Sequence, residues 1–257
     1  AVADSLETLY NNIEEQTLVI SKDYIKAHPA SYITPTVFQE IAYYVDAAEM
    51  ETMLNSLDTT LNKVSGIIEL KDKLKVMKAV QIGQKAPDFT LNDINGNPVA
   101  LSSKINGKTK LLLVDFWASW CGDCRKIRSR MDKLSKNCNI DSIVFVGVSY
   151  DTDKDTWMNY LKDDIKDQII QVSELKKWKE TETSQQYGIK WIPTMYLIDP
   201  AGKVVMATTD VEMLAKALKN IDKSKITSEK QNFEKMFNLM GGIFPQYKGG
   251  IPALIKF

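Results

Sequence analysis

The stretch 111–128, LLLVDFWASWCGDCRKIR, constrains the fold of this 257-residue chain more than any other. It opens with a continuous apolar run, Leu111 to Val114, which is typical of a strand buried on both faces of a sheet. The pattern then predicts a helix that begins at Cys121, with Cys124 one turn inside it on the same side. The unpaired N–H groups and the dipole of such a helix favour a thiolate at Cys121, and the thiolate is the form that attacks a disulfide. Cys124 is then placed to resolve the mixed disulfide.

The number and spacing of the cysteines favour chemistry over scaffolding. Three cysteines, two of them in the Cys121–Cys124 pair, cannot form a disulfide framework for a chain of this length. Half of a zinc site is the weaker alternative, because zinc needs four ligands, no second CxxC exists and the only histidine is His28. We therefore expect no metal. Cys138 precedes a predicted buried strand and is interpreted as a packing residue, with a resolving or regulatory role as the alternative.

Charge and hydropathy exclude several classes of function. Lys+Arg and Asp+Glu both number 33, so there is no net charge to attract nucleic acid, which is not an expected partner. No apolar stretch approaches the roughly 18 residues of a membrane helix, and no spanning segment is expected. Residues 1–3, Ala-Val-Ala, are composed like a region near a cleavage site, which gives weak support for a removed leader.

The two ends of the chain differ in pattern from its middle. Residues 1–82 are predicted to form a helical N-terminal subdomain, with a first helix that ends near Pro29 and a second that Thr34 caps and that has Pro35 in its first turn. Residues 221–257 are predicted to form a C-terminal extension that contains one more amphipathic helix, over 228–239.

The middle region, residues 83–220, alternates strands and helices. Asn95 and Gly96 predict a hairpin, and the segments on either side of the cysteine helix predict a βαβ unit. Either Asp151 or Asp155 is predicted to cap the helix that follows this unit, and Val172 is predicted to lie in a link.

Three segments carry a resemblance to a known family. The segment 115–125, DFWASWCGDCR, resembles the active-site segment of the thioredoxin superfamily. The segments 83–91, GQKAPDFTL, and 188–194, GIKWIPT, are similar to those of the TlpA/ResA-like thiol-disulfide oxidoreductases, so the resemblance covers roughly residues 82–218. It implies an α/β, thioredoxin-like fold, a central mixed sheet flanked by helices, preceded here by the helical N-terminal region.

The acid of the site is predicted at Asp115, inside the buried run. Burial disfavours the charged form of a carboxyl group and raises its pKa, which makes Asp115 a proton acceptor for Cys124. In thioredoxins the buried acid occupies this place. An aspartate that points outward at the end of the strand is the alternative.

The resemblance also implies a substrate-binding surface around the dithiol. The Ile192–Pro193 bond would be cis, and its loop would lie beside the cysteines, leave the backbone of Ile192 free to pair with an extended substrate and keep metal ions off the thiols. Trp120 and Trp191 would form an apolar rim, with core packing as the alternative, whereas Trp117 is interpreted as packing. The predicted substrate-binding residues are Trp120, Gly122, Asp123, Trp191, Ile192 and Pro193.

Two positions depart from the family pattern. ResA-like relatives carry a glutamate where this sequence has Ile127, so we expect proton transfer through Asp115 alone. Asp123 stands where thioredoxins usually have proline. Its carboxylate opposes a thiolate at Cys121, although it also interacts favourably with the helix N-terminus, and it predicts a more reducing dithiol than an otherwise equal CGPC site.

These features predict an extracytoplasmic thiol-disulfide oxidoreductase, periplasmic or envelope-associated, that reduces disulfides of cell-envelope proteins. Its partners would be protein disulfides or dithiols and a redox partner protein, with no cofactor beyond the Cys121–Cys124 disulfide. One alternative is a peroxiredoxin-like peroxidase, since those relatives share the 83–91 segment, although they use a lone cysteine in a threonine-containing loop. The other is a client-binding module in which the two ends of the chain hold a client and the dithiol is secondary.

Overall fold

The computed structural model describes residues 2–107, 109, 111–137, 143–164 and 169–223, and the chain divides into two units between Met77 and Lys78. Cys138 and the helix predicted over 228–239 lie outside the described residues. Within the described part of the chain, no helix combines the length and the apolar character that crossing a membrane requires.

Amphipathic helices build the first unit. They are α1 (Val2–Ala27), α2 (Thr34–Ile41), α3 (Ala47–Asn55) and α4 (Ser65–Ala79), with a 3₁₀ turn over Thr59–Lys63 before the last. Asp46 caps the N-terminus of α3, since its side chain accepts a hydrogen bond from the Glu49 N–H at 2.7 Å. Each helix contributes to one apolar core, which includes Ile25, Phe38, Met50 and Leu70.

A seven-stranded mixed sheet forms the centre of the second unit. Its strands are β1 (Thr90–Asp93), β2 (Pro98–Ala100), β3 (Leu111–Trp117), β4 (Ile143–Ser149), β5 (Ile169–Ser173), β6 (Thr194–Ile198) and β7 (Val204–Thr208). They lie in the order β2-β1-β5-β4-β3-β6-β7, with β3, β4 and β5 parallel and the other neighbours antiparallel. The predicted hairpin joins β1 to β2, and Gly96 adopts the positive φ of +85° that its turn requires.

Helices flank this sheet, which confirms the predicted fold class. They are α5 (Gly122–Asn137), α6 (Lys154–Asp164), α7 (Glu182–Gln186) and α8 (Val211–Lys223). Every residue of β3 is buried, as expected of a central strand. Successive residues of a strand face opposite sides of the sheet, so the side chains of β3 enter two separate apolar clusters. Leu112 and Val114 belong to the first cluster, and Leu111 and Leu113 belong to the second. Side chains of α5 and α8 belong to the second cluster.

Three local predictions are wrong. Thr34 does not cap α2, because it is the first residue of that helix and its hydroxyl donates to the His28 carbonyl at 2.6 Å. Val172 lies within β5 and not in a link, where it is fully buried and pairs with both β4 and β1. Neither Asp151 nor Asp155 caps α6. That role belongs to Asp153, whose Oδ1 accepts hydrogen bonds from the backbone N–H and the hydroxyl of Thr156 at 2.7 and 2.6 Å.

Candidate active site

Cys121 and Cys124 form a disulfide at the start of α5. Because α5 begins at Gly122, Cys121 occupies the N-cap position and Cys124 lies in the first turn, as the spacing predicts. The Cys124 N–H donates to Cys121 Sγ at 3.1 Å. Both cysteines are more than nine-tenths buried. When this disulfide is reduced, the helix N-terminus and the N–H directed at the first sulfur favour a thiolate at Cys121.

The loop that precedes β6 lies against the first cysteine. Its Ile192–Pro193 peptide bond is cis, and the Ile192 carbonyl oxygen is 3.5 Å from Cys121 Sγ. The pairing of Thr194 with Phe116 explains this proximity, since it sets the start of β6 beside the end of β3, where the cysteine loop leaves the sheet. The structure therefore brings Ile192 and Pro193 to the dithiol.

The other predicted binding residues adjoin these groups in the chain and are open to solvent. Trp120 and Trp191 are 53% and 45% exposed, which is unusual for tryptophan. A Cβ placed on Gly122 would meet no atom of the described residues within 4 Å, apart from the adjoining stretch of its own chain. The exposed side chain of Asp123 forms an ion pair with Lys126 at 2.8 Å, which offsets part of its negative charge. In the described residues, no group of three or more His, Cys, Asp or Glu side chains is arranged to hold a metal ion.

Asp115 is buried in β3 and is influenced by a buried cation. Only 5% of Asp115 is exposed, and its Oδ1 has no hydrogen-bond partner among the described residues. Burial raises the pKa of Asp115 from 3.8 to about 6, and the positive charge of Arg128 opposes that rise. The guanidinium carbon of Arg128 lies 4.6 Å from the centre of the Trp117 ring. A carboxyl group in this setting can exchange a proton near neutral pH.

Arg128 is a residue of the site that no sequence motif marks. In sequence it is one of several basic residues on α5, and only its spacing of four from Cys124 places it on the same face of the helix. Ile127, which stands where ResA-like relatives carry a glutamate, is partly buried against the cluster that contains Leu111 and Leu113. It is an apolar packing residue there. Trp117 is buried, in agreement with its predicted packing role.

Comparison with known proteins adds sequence relatives to this geometry. Residues 82–207 match the model of the AhpC/TSA family. The thioredoxin-like protein YneN of Bacillus subtilis is 30% identical over 126 residues, which cover 49% of this chain and 69% of that protein. The thiol-disulfide oxidoreductase ResA of the same species is 27% identical over 133 residues, covering 51% of this chain and 69% of ResA.

Solved structures give similar matches. A thiol-disulfide oxidoreductase from Bacteroides fragilis is 28% identical, with a TM-score of 0.48, over 54% of this chain and 99% of that chain.

The sequence relatives, the mixed sheet flanked by helices and the disulfide at the start of α5 lead to one conclusion. The chain belongs to the thioredoxin superfamily, as a TlpA/ResA-like thiol-disulfide oxidoreductase with an AhpC/TSA domain.

Proposed function

We propose that this protein reduces disulfides of cell-envelope proteins through Cys121 and Cys124. The observation that carries the proposal is the setting of Cys121. Its sulfur lies at the N-terminus of a 16-residue helix, 3.1 Å from the Cys124 N–H and 3.5 Å from the Ile192 carbonyl oxygen. The helix stabilises a negative charge on this sulfur, and the loop of Ile192 and Pro193 offers a backbone beside it for an incoming chain.

The proposed cycle transfers two electrons to the substrate. The Cys121 thiolate attacks one sulfur of the substrate disulfide, forms a mixed disulfide and releases the other substrate sulfur as a thiolate. Cys124, once deprotonated, attacks the sulfur of Cys121, which releases the second substrate thiolate. The substrate gains two thiols, and the enzyme ends with the Cys121–Cys124 disulfide that the structure contains.

Asp115 is the proposed proton acceptor for Cys124. Since its pKa is raised to about 6, Asp115 is ionised at neutral pH and can take up a proton there. Arg128 supports this role in two ways. Its charge keeps Asp115 more ionised than burial alone would allow, and its position one turn beyond Cys124 indicates that this face of α5 is directed toward Asp115.

Exposed groups around the dithiol are the proposed substrate-binding surface. Trp120 and Trp191 offer large apolar faces that folding has left open to solvent. Gly122 leaves open space in which a substrate backbone can approach, because a Cβ there would meet none of the described residues outside its own stretch of chain. The backbone of Ile192 at Pro193 is the proposed pairing site for an extended substrate segment.

A reducing direction follows from the charge of Asp123 and requires a source of electrons. A carboxylate next to Cys121 disfavours the thiolate, destabilises the reduced form and makes the dithiol more reducing. The proposed location, extracytoplasmic, is carried over from the TlpA/ResA-like branch. Thiols are oxidised in such compartments, so a redox partner protein with its own dithiol must return the Cys121–Cys124 disulfide to the reduced state.

Insulin is a suitable substrate for the test, because its disulfides are accessible in solution. We expect the wild-type protein to catalyse the reduction of insulin by dithiothreitol. Reduced Cys124→Ala should stop at a mixed disulfide with insulin, which is visible by non-reducing mass spectrometry, and Cys121→Ala should form none.

Three results would contradict the proposal. A lack of any adduct with Cys124→Ala would remove the dithiol mechanism, and an adduct formed by Cys121→Ala would reverse the roles of the two cysteines. Consumption of hydrogen peroxide at a rate well above that of insulin reduction would favour the peroxidase alternative.

A further inference from the structure

A buried carboxylate ties the cysteine loop, residues 118–121, to the end of β4. Asp151 is only 2% exposed. Its Oδ1 accepts a hydrogen bond from the Ser119 hydroxyl at 2.6 Å. Its Oδ2 accepts from the Ser119 N–H at 3.1 Å and from the Ser149 hydroxyl at 2.6 Å. Three donors therefore compensate the burial of this group, which would otherwise be costly.

The strand register explains why these residues meet. β3 and β4 are parallel neighbours, and Trp117 stands opposite Ser149 at their ends. The pairing continues one step further, since the Tyr150 N–H donates to the Trp117 carbonyl at 2.9 Å. Ser119 lies two residues beyond the end of β3, and Asp151 lies two residues beyond the end of β4. The carboxylate of Asp151 therefore bridges the gap that opens where the two strands separate.

Ser119 is held on its carbonyl side as well. Arg125, in the first turn of α5, donates from Nη1 to the Ser119 carbonyl oxygen at 3.4 Å. All the polar groups of Ser119 are thus engaged, although the next two residues are the exposed Trp120 and the reactive Cys121. The constraint is concentrated on the residue that immediately precedes the reacting segment.

The residue between Ser149 and Asp151 supports the same loop through an aromatic column. Tyr150 stacks on Phe116 in the core, with ring centres 6.1 Å apart. On its other side it stacks on Trp178 at 5.8 Å with nearly parallel planes, and Trp178 contacts the ring of Trp120 at 6.4 Å. The end of β4 therefore positions the loop twice, by hydrogen bonds to its backbone and by aromatic contacts that lead to its exposed tryptophan.

We propose that Asp151 is a positioning residue of the redox site, which acts through Ser119 to hold Trp120 and Cys121 in the orientation that a protein disulfide requires. This inference rests on the proposed attack by Cys121. Thiol-disulfide exchange needs the attacking sulfur aligned with the disulfide, and small displacements of a reacting group cost large factors in rate. A protein substrate must also contact the rim of the site while its sulfur reacts, whereas a small disulfide needs only access to the sulfur.

Three variants separate positioning from general stability. Asp151→Ala removes both hydrogen bonds that Ser119 donates to this side chain, together with the bond from Ser149. Asp151→Asn can keep them, because its amide oxygen accepts from the two groups at Oδ2 while its NH₂ donates to the Ser119 hydroxyl. Ser173→Ala is the matched control. It removes a buried hydroxyl that donates to the Ser149 carbonyl at 2.8 Å and accepts from the Leu175 N–H. Both partners lie at the same end of the sheet as Asp151, and neither belongs to the cysteine loop.

The experiment compares the reaction of each reduced variant with insulin and with oxidised glutathione, alongside its melting temperature. We expect Asp151→Ala to lose about tenfold or more in kcat/KM for insulin but less than about threefold in its rate with oxidised glutathione. Asp151→Asn should remain within about threefold of wild type on both substrates, since it retains the hydrogen bonds. Ser173→Ala should show no selective loss for insulin, even at a similar drop in melting temperature.

Several outcomes would overturn the inference. The Asp151→Ala variant could react with insulin as fast as wild type, or lose the same factor in rate with insulin and with oxidised glutathione. The Asp151→Asn variant could be as slow with insulin as the alanine variant. Ser173→Ala could show the same selective loss of rate with insulin as Asp151→Ala. Failure of the proposed function is distinguishable from all of these, because the wild-type protein would then not reduce insulin.

Discussion

Replacing Asp115 with asparagine should stabilise the folded protein above pH 6 and slow its catalytic cycle. Asp115 lies in the buried strand β3, where its pKa is raised from 3.8 to about 6. A rise of about two pH units corresponds to ~3 kcal/mol of free energy, at about 1.36 kcal/mol per unit. This value already includes the opposing attraction of Arg128, because that charge contributes to the pKa of about 6.

The pH window follows from the sign of the shift. Below about pH 4, Asp115 is protonated in both the folded and the unfolded chain, so the neutral asparagine changes little. As the pH rises from about 4 to 6, the unfolded chain ionises first, and the folded wild-type protein progressively loses stability relative to it. Above about pH 6 the loss is complete, and the Asp115→Asn variant should then be more stable by ~3 kcal/mol.

Urea unfolding of the oxidised protein at pH 4 and pH 8 measures this effect. The free energy of unfolding should differ between wild type and Asp115→Asn by less than about 1 kcal/mol at the lower pH and by ~3 kcal/mol at the higher. Asp123→Asn, which alters an exposed carboxylate of the same site, should change stability by less than about 1 kcal/mol at both. A variant of Asp115 that is no more stable at pH 8 than at pH 4, relative to wild type, would refute the argument from burial.

The same substitution tests the catalytic role of Asp115. Asparagine cannot accept the proton of Cys124, so the mixed disulfide with insulin should persist about a hundredfold longer at pH 7, within the range of general base catalysis. Rapid acid quenching followed by mass spectrometry measures this lifetime. If Asp115→Asn proves more stable but resolves the mixed disulfide at the wild-type rate, then Asp115 is buried without being the proton acceptor.

Three further substitutions test other parts of the site. Asp123→Pro removes a carboxylate next to Cys121, so the thiolate pKa should fall and the pair should become more oxidising; an unchanged or more negative potential in glutathione equilibration contradicts this. Arg128→Met removes the charge that lowers the pKa of Asp115, so the pH profile of mixed-disulfide resolution should move to higher pH, and an unmoved profile would exclude the charge coupling. Trp120→Ala should lower kcat/KM for insulin about tenfold with a change of less than about 2 °C in melting temperature, because this ring is half exposed. Wild-type kinetics would remove Trp120 from the substrate-binding surface.

The centre of the site could be predicted from the sequence because its signals are local. The apolar run of β3 and the two cysteines lie within one short stretch of sequence. Helix α5 begins directly after Cys121, as the spacing of the two cysteines predicts. The cis bond before Pro193 is not a local signal of this kind. It came from the resemblance to the family, since proline alone indicates only a tight turn.

Strand β5 could not be predicted because its polar residue has distant partners. Gln171 interrupts the apolar pattern of the strand, yet it is 6% exposed. Its Oε1 accepts from Trp117 Nε1 at 3.1 Å, and Gly147 leaves it room, since a Cβ there would lie 2.5 Å from the same oxygen. Trp117 and Gly147 are both distant from Gln171 in sequence, so the sequence pattern does not show that this polar residue is buried in a strand.

The two buried charges of the site were missed for a related reason. Asp151 follows a strand and precedes a helix, which is the usual place of a cap, and only the register of β3 and β4 shows that it binds Ser119 instead. Arg128 lies in a helix rich in basic residues, most of which face solvent. Its burial is visible only when Asp115 and Trp117 are known to lie beneath that helix.

The reduction potential of the Cys121–Cys124 pair tests the central claim most directly. The protein would be equilibrated with defined ratios of reduced and oxidised dithiothreitol or glutathione, and its free thiols trapped and counted by mass spectrometry. We predict a value near that of thioredoxin, roughly −270 mV, as expected of a dithiol that donates electrons to protein disulfides. A value near that of the strong oxidants, roughly −120 mV, would mean that the pair donates disulfides, and it would contradict both the reducing direction and the role assigned to Asp123.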